Sequence, residues 1–157
     1  MSFIIGLFTK GVTVFLTKLL TSLASEKMIE WASKIIGFQP RPDVVAIGWR
    51  VRGELRAVAL YDNFSECDCN MHIASDGKAH WLSRQFLIAS FMHPFVQWRL
   101  RRVTGLVPAK NKDALRFDLH LGFKQEGYLH HALPDDDLYV LGMLRENCRY
   151  IPPEYRA

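Results

Sequence analysis

VTGLVPAKNKDALRFDLHLGFKQEGYLHH, residues 103–131, is the stretch from which the rest of the chain is read. The apolar run to Ala109 has the length of a buried strand, and Lys110-Asn111 supplies a turn. Asn111 is a favoured N-cap type. Beyond it Leu115, Leu119 and Phe123 recur at four-residue spacing while Arg116 and His120 share another face, which predicts an amphipathic helix to Leu121. Gly122 is the expected stop, because a left-handed residue at a helix end is least strained without a Cβ. Gly122-Phe123 then opens another strand, completing a strand-helix-strand order.

On these residues the chain resembles the GNAT superfamily of acetyl-CoA-dependent N-acetyltransferases. Members of that family carry an Asn after the fifth strand, an Ala three residues on, and a Gly-Phe pair opening the sixth, often followed by an acidic residue and Gly. The matching residues are Asn111, Ala114, Gly122-Phe123 and Glu126-Gly127. The resemblance is nearest to RimJ/RimL-like members, including small bacteriophage-encoded ones. It shows there in Trp81-Leu82, Arg84 and Phe86-Leu87 and in the run LRENCRY, Leu144 to Tyr150, and it covers 44–150. It implies an α+β class and the GNAT fold: a mixed, mostly antiparallel central sheet with a splayed parallel strand pair and flanking helices.

Composition agrees with a folded domain. With 157 residues, 49% hydrophobic and 23% charged, the chain is long and apolar enough for one sizeable core, which excludes a disordered segment. Three cysteines at irregular spacing argue against a disulfide framework and fit a reducing cytoplasm, the host's if the gene is a phage's; a virion is the alternative. Cys67, Cys69 and His72 invite a metal reading, but in a strand the two cysteines share one face and His72 takes the other, so no metal is expected. The formal charge is +4. Six cations, Arg99, Arg101, Arg102, Lys110, Lys112 and Arg116, stand against the single acid Asp113 between Gln97 and Arg116. That cluster suits CoA phosphates, nucleic acid, or simply a solvated helix end. Nucleic acid ranks last, since no stacking-aromatic motif accompanies it.

The N-terminal region differs from the rest, and the division expected is 1–37 as an amphipathic helical segment and 38–157 as the GNAT-like domain. Lys10 and Lys18 cut the apolar block Phe3 to Leu23 into runs shorter than the ~18 to 20 residues of a transmembrane helix. No cationic n-region or small-residue cleavage site marks a signal peptide. Ile4, Phe8, Val12, Phe15, Leu16, Leu19 and Leu23 fall on one helical side. Such a stripe packs on this domain's own sheet, or serves a homo-oligomer, a larger assembly or a membrane surface. Ser25 is the expected cap of a second helix, Glu26 to Ile36, pairing Glu30 with Lys34 and burying Met28, Ala32, Ile35 and Ile36. A family first strand has only Phe3 to Phe8 to draw on.

Gln39-Pro40-Arg41-Pro42 marks a boundary. Val44 to Val51 and Leu55 to Tyr61 read as strands around Arg52-Gly53, followed by Cys67 to Ile73. A helix from about His80 to Trp98 follows, packing Leu82, Phe86, Ala89 and Phe95 and kinked or ended by Pro94. The last strand pair, Phe123 to Leu133 and Leu138 to Met143, turns through Pro134-Asp135-Asp136-Asp137, an acidic loop that is a solvated turn or an attractor for a cationic amine.

Site residues follow from the resemblance. Between strand and helix the family holds the CoA pyrophosphate in a (Gln/Arg)-x-x-Gly-x-(Gly/Ala) loop; here Asp76, Gly77, Lys78 and Ala79 occupy it, Ala74 replaces the leading residue, and Lys78 or Arg84 supplies charge. Asp76-Gly77 is otherwise an ordinary turn. Backbone amides around Met71, His72 and Ile73 would bind pantetheine and the thioester oxygen, and Asn111 would contact the cofactor. Many members carry a Tyr seven residues after that Asn to protonate the CoA thiolate. Here Asp118 stands in its place, with Tyr128 and Tyr139 as substitutes. Glu66 leads as general base, with Asp68 and His72 behind it. The function implied is acetyl transfer from acetyl-CoA to an amine acceptor. The alternative is a degenerate GNAT-fold binding or structural protein that works through its N-terminal helices against a virion or host partner.

Overall fold

The computed structural model describes residues 21–37, 39–78 and 80–157. In chain order these form α1 (Thr21–Ile36), β1 (Val45–Val51), β2 (Glu54–Asp62), β3 (Asn70–Ser75), α2 (Arg84–Met92), β4 (Arg102–Pro108), α3 (Lys112–Leu121), β5 (Lys124–Leu133) and β6 (Asp136–Leu144). The strands make one sheet in the order β1-β2-β3-β4-β6-β5. Only β3 and β4 pair in parallel; every other neighbouring pair is antiparallel, as the α+β reading expects.

Local chemistry explains the elements. Arg52 and Gly53 both take positive φ, the geometry that a two-residue hairpin turn requires between β1 and β2. Asn111 caps α3 by accepting from the Ala114 N–H at 3.1 Å, and Gly122 ends it at φ 113°. Strand alternation then sorts the side chains. Ala57, Ala59 and Tyr61 of β2 join Phe86, Phe91, Phe95, Leu121, Phe123 and Leu141 in the larger core under α2 and α3. Val58 and Leu60 face the other way, with Ala74, against Ala32 of α1. Burial of each large aromatic contributes about 2 kcal/mol, so the α2 side carries most of the packing energy.

Several elements depart from expectation. Ser25 caps nothing: α1 runs unbroken from Thr21 to Ile36, because no Gly or Pro interrupts it. Glu30 and Lys34 pair at 2.6 Å and Ala32 is buried, but Ile35 and Ile36, expected inside, are 43% and 40% exposed. Cys67 lies before β3, which starts only at Asn70, so the two cysteines do not share a strand face. The central helix starts at Arg84, four residues later than expected, where Ser83 accepts from the Phe86 N–H at 3.0 Å. Leu82 therefore precedes it and stays exposed. Near Pro94 the α-helix does end early, at Met92; lacking an N–H and crowding the carbonyl four residues back, the proline continues the chain as a π-helical turn, His93–Gln97.

The acidic turn is tied into the structure. Asp136 accepts from the Lys110 N–H at 3.0 Å, and Asp137 accepts from the His131 N–H and the Tyr128 hydroxyl, each at 2.8 Å. The expected strand Phe3 to Phe8, the apolar stripe before Thr21, and Ala79 lie outside the described residues. No described helix is long and apolar enough to cross a membrane.

Candidate active site

The site begins as a gap in the sheet. The Cys67 carbonyl accepts from the Arg101 and Arg102 N–H groups, and the Cys69 carbonyl from the Thr104 N–H at 2.9 Å. Asn70 and Thr104 are the one registered pair between β3 and β4, and beyond it the two strands diverge. Each stays fully paired on its other side, β3 with β2 from Asn70 to Ser75 and β4 with β6 from Arg102 to Pro108.

Which main-chain groups face this gap follows from the two-residue alternation of a strand. Cys69 turns its carbonyl to β4, whereas Asp76 donates its N–H to the Arg56 carbonyl on the β2 side. Odd-numbered residues of β3 therefore address the gap and even-numbered ones address β2. Of the three residues expected to offer amides, only Ile73 presents a spare N–H to the gap: the Met71 N–H completes the Asn70–Thr104 bridge on the Thr104 carbonyl, leaving the Met71 carbonyl, and His72 faces β2. A polar backbone edge is costly to bury unsatisfied, so a ligand with hydrogen-bonding groups suits it.

A cavity of about 520 Å³ occupies the divergence. It is lined from both faces: Asn111, Ala114, Phe117 and Asp118 line it from the α3 side, and Ile35, Ile36, Gly37 and Gln39 from the α1 side. α3 rests on β4 at Gly105, where Asp118 Oδ2 lies at ordinary contact distance, 3.7 Å, from a notional Cβ. Burial pushes the Asp118 carboxyl up to about 7, so a substantial fraction of this acid keeps its proton at neutrality. On the opposite wall His72 Nε2 lies 3.2 Å from Oδ1 of Asp62, a carboxylate only 2% exposed at the end of β2. A buried carboxylate beside an imidazole fixes the ring's orientation.

The other expected residues lie around or away from this cavity. Gly77 takes φ +68° with nothing within 4 Å of a notional Cβ, so its surroundings are open. Asp76 is turned to Arg56 at 2.7 Å and accepts from the Lys78 N–H at 2.9 Å; the Arg56 hydrogen bond is the main cause holding its carboxyl below the usual range. Lys78 is exposed. Arg84 opens α2 and, with Arg149, Tyr150, Leu82, Ser83 and Leu87, lines a separate shallow groove. The Gly77 loop follows β3 and Asn111 follows β4, so both stand at the carboxyl end of the parallel pair, where ligands of open sheets bind. Ala74 is fully buried in the α1-side core, which explains why no long Gln or Arg side chain occurs there.

Glu66 is exposed in the loop before β3 and does not line the cavity. Tyr128 sits on β5, also outside the cavity, and its hydroxyl donates to Asp137, the main cause of a phenol pushed up to about 12. The basic cluster is dispersed. Arg102 binds Thr104, Asp68 and Glu126, Arg116 pairs with Asp113, Lys110 reaches the Asp135 carbonyl, and Lys112 lies over the Tyr139 ring. Sequence reasoning missed Asp62, whose nearness to His72 arises only from the β2–β3 register. It also missed Leu133 and Leu138 as cavity walls.

No protein-family model matches the chain, and no curated protein matches its sequence. Solved structures do match. A variant of spermidine N-acetyltransferase from Vibrio cholerae superposes with a TM-score of 0.60 at 16% identity, over 82% of this chain and 79% of that one. A GNAT-family acetyltransferase from Bacillus anthracis gives 0.55 at 16% identity, over 73% and 71%. A third acetyltransferase gives 0.58 at 23% identity over 68% of this chain, which spans 60% of that structure's length. At these identities the likeness concerns the fold: the chain has the GNAT acetyltransferase fold.

Proposed function

We propose that the chain transfers an acetyl group from acetyl-CoA directly to an amine. The observation that carries this reading is the divergence of β3 and β4 beyond Asn70 and Thr104, which leaves backbone groups at Met71 and Ile73 facing a cavity. The residues present fit the cofactor. The Ile73 N–H and the Met71 carbonyl suit the pantetheine arm and the thioester, Asn111 borders the same opening, and the Gly77 loop with Lys78 offers open backbone and a cation for phosphates. When bound, acetyl-CoA supplies the activated acetyl group.

The chain's own side chains then divide the proton traffic. His72, oriented by Asp62, takes the proton that the attacking ammonium must lose. The amine lone pair forms the new C–N bond as the C–S bond breaks with its electron pair on sulfur, and the acylated nitrogen sheds its second proton to solvent. Asp118, partly protonated at neutrality through burial, gives its proton to that thiolate in the place where a Tyr would stand. The products are an N-acetyl amide and free CoA. Glu66 and Tyr128 are given no part in this reading, because neither reaches the cavity.

The test is release of free thiol from acetyl-CoA when amines are added to the purified chain. Amine-dependent release, with the N-acetyl product identified by mass, supports the proposal. A folded chain that binds acetyl-CoA yet releases no thiol with any primary or secondary amine offered overturns it.

A further inference from the structure

The two faces of the cavity differ in chemistry. A cofactor held by the Gly77 loop and Asn111 enters from the side that carries α2 and α3, which leaves the α1 side for the second substrate. Register identifies that wall. Val103 and Val107 of β4 join the α2-side core, so Leu106 and Pro108 point the opposite way. Across the ladder Leu106 faces Val140 and Pro108 faces Leu138, and directly opposed residues share a face. Ile35 and Ile36 from the last turn of α1, and Leu133 from the end of β5, complete a hydrocarbon surface.

Charge is nearly absent from it. Among the described residues lining the cavity, His72 and Asp118 are the ionisable ones, and Asp118 belongs to the α3 wall. The undescribed residues 1–20, Phe38 and Ala79 contain no Asp or Glu, so no approach by them brings a carboxylate. Asp136 and Asp137 in the nearby turn already accept from Lys110, His131 and Tyr128, and Asp68 and Glu126 are engaged by Arg102. A second ammonium lying along this wall would be stripped of water against hydrocarbon, since the one carboxyl among the described lining residues, Asp118, stands on the opposite wall.

Resting on the acetyl-transfer reading, we infer that the acceptor is a primary amine on a compact apolar body, an alkyl- or arylalkylamine, and not a polyamine. Its ammonium loses one proton to His72, its nitrogen bonds the acetyl carbon as the C–S bond breaks, and its hydrocarbon covers Ile35, Ile36, Leu106 and Leu138. A cavity of about 520 Å³ shared with the thioester end admits a small molecule of this kind.

The experiment uses the full chain with acetyl-CoA and compares 2-phenylethylamine, hexylamine and spermine, with acetyl-CoA affinity measured in parallel by calorimetry. The expected kcat/KM for 2-phenylethylamine exceeds that for spermine by about 10²-fold or more. Leu138→Asp lowers it about tenfold and raises that for spermine, with acetyl-CoA affinity unchanged. Should Leu138→Asp fail to fold, Ile36→Glu, at a position already 40% exposed, gives the same reversal. Preference for spermine, or turnover of spermine alone, with acetyl-CoA bound overturns the acceptor class and leaves acetyl transfer standing, whereas turnover of no amine with acetyl-CoA bound overturns both. Failure to bind acetyl-CoA removes both.

Discussion

Asn70 pairs with Thr104, and these two residues hold together strands that separate immediately beyond them. The pair sits at the closed end of the divergence, where Thr104 Oγ1 also donates to Asp68 Oδ2 at 2.6 Å. Everything proposed for the site depends on this hinge of the sheet, because one further ladder bond at Ile73 would consume the backbone groups that the cavity needs.

Asp118 carries a pH signature. Its carboxyl titrates near 7 in the folded chain and near 4 in an unfolded one. The stability it contributes is complete below about pH 4 and is lost as pH rises through 7, by up to about 4 kcal/mol. Asp118→Asn is expected to flatten that component of the pH dependence, read from urea unfolding at pH 5 and pH 8. The same substitution should lower kcat about 10²-fold and abolish a decline in wild-type activity above pH 7. An unchanged pH profile of activity would remove Asp118 from the reaction.

His72 and Asp62 act as a unit. His72→Ala should reduce transfer about 10² to 10⁴-fold while leaving acetyl-CoA affinity within about twofold. Asp62→Asn keeps the shape but weakens the ring's orientation, so a smaller loss of kcat with an altered pH profile is expected. Near-wild-type transfer in His72→Ala would return the base role to water or to another side chain.

How much was readable beforehand depends on where the signal lies. The helix Lys112–Leu121 was plain because its cap, its periodicity and its Gly stop agree. The missing ladder between β3 and β4 has no local signature, since Met71-His72-Ile73 reads as the same strand whether its edge is paired or open; resemblance alone pointed to it. Asp62 escaped notice because its meeting with His72 is made by sheet register across ten residues. Ser25 misled for the opposite reason: a capping residue type also sits in helix interiors when nothing nearby breaks the helix. Ile35 and Ile36 have core composition but end in the cavity wall.

Gly122 tests the seating of α3. Its φ of 113° and a Met143 Cε only 3.3 Å from a notional Cβ mean that Gly122→Ala meets both strain and a contact. A loss of about 1 to 2 kcal/mol is expected in denaturant unfolding. Stability equal to wild type would show that the helix end relaxes without cost.

Gly77 separates the cofactor loop from the fold. With open space around it, Gly77→Ala should cost about 1 kcal/mol through its positive φ and keep acetyl-CoA affinity. Gly77→Trp should cost a similar amount but weaken binding at least about tenfold by filling the loop. Equal affinity in both variants would place the phosphates elsewhere.

The most direct measurement is calorimetric titration of the folded full chain with acetyl-CoA and with CoA. The account predicts saturable binding of each at one site per chain, weakened in Gly77→Trp. A chain that is folded by circular dichroism and binds neither would contradict it, and the cavity between β3 and β4 would then have to be explained without a cofactor.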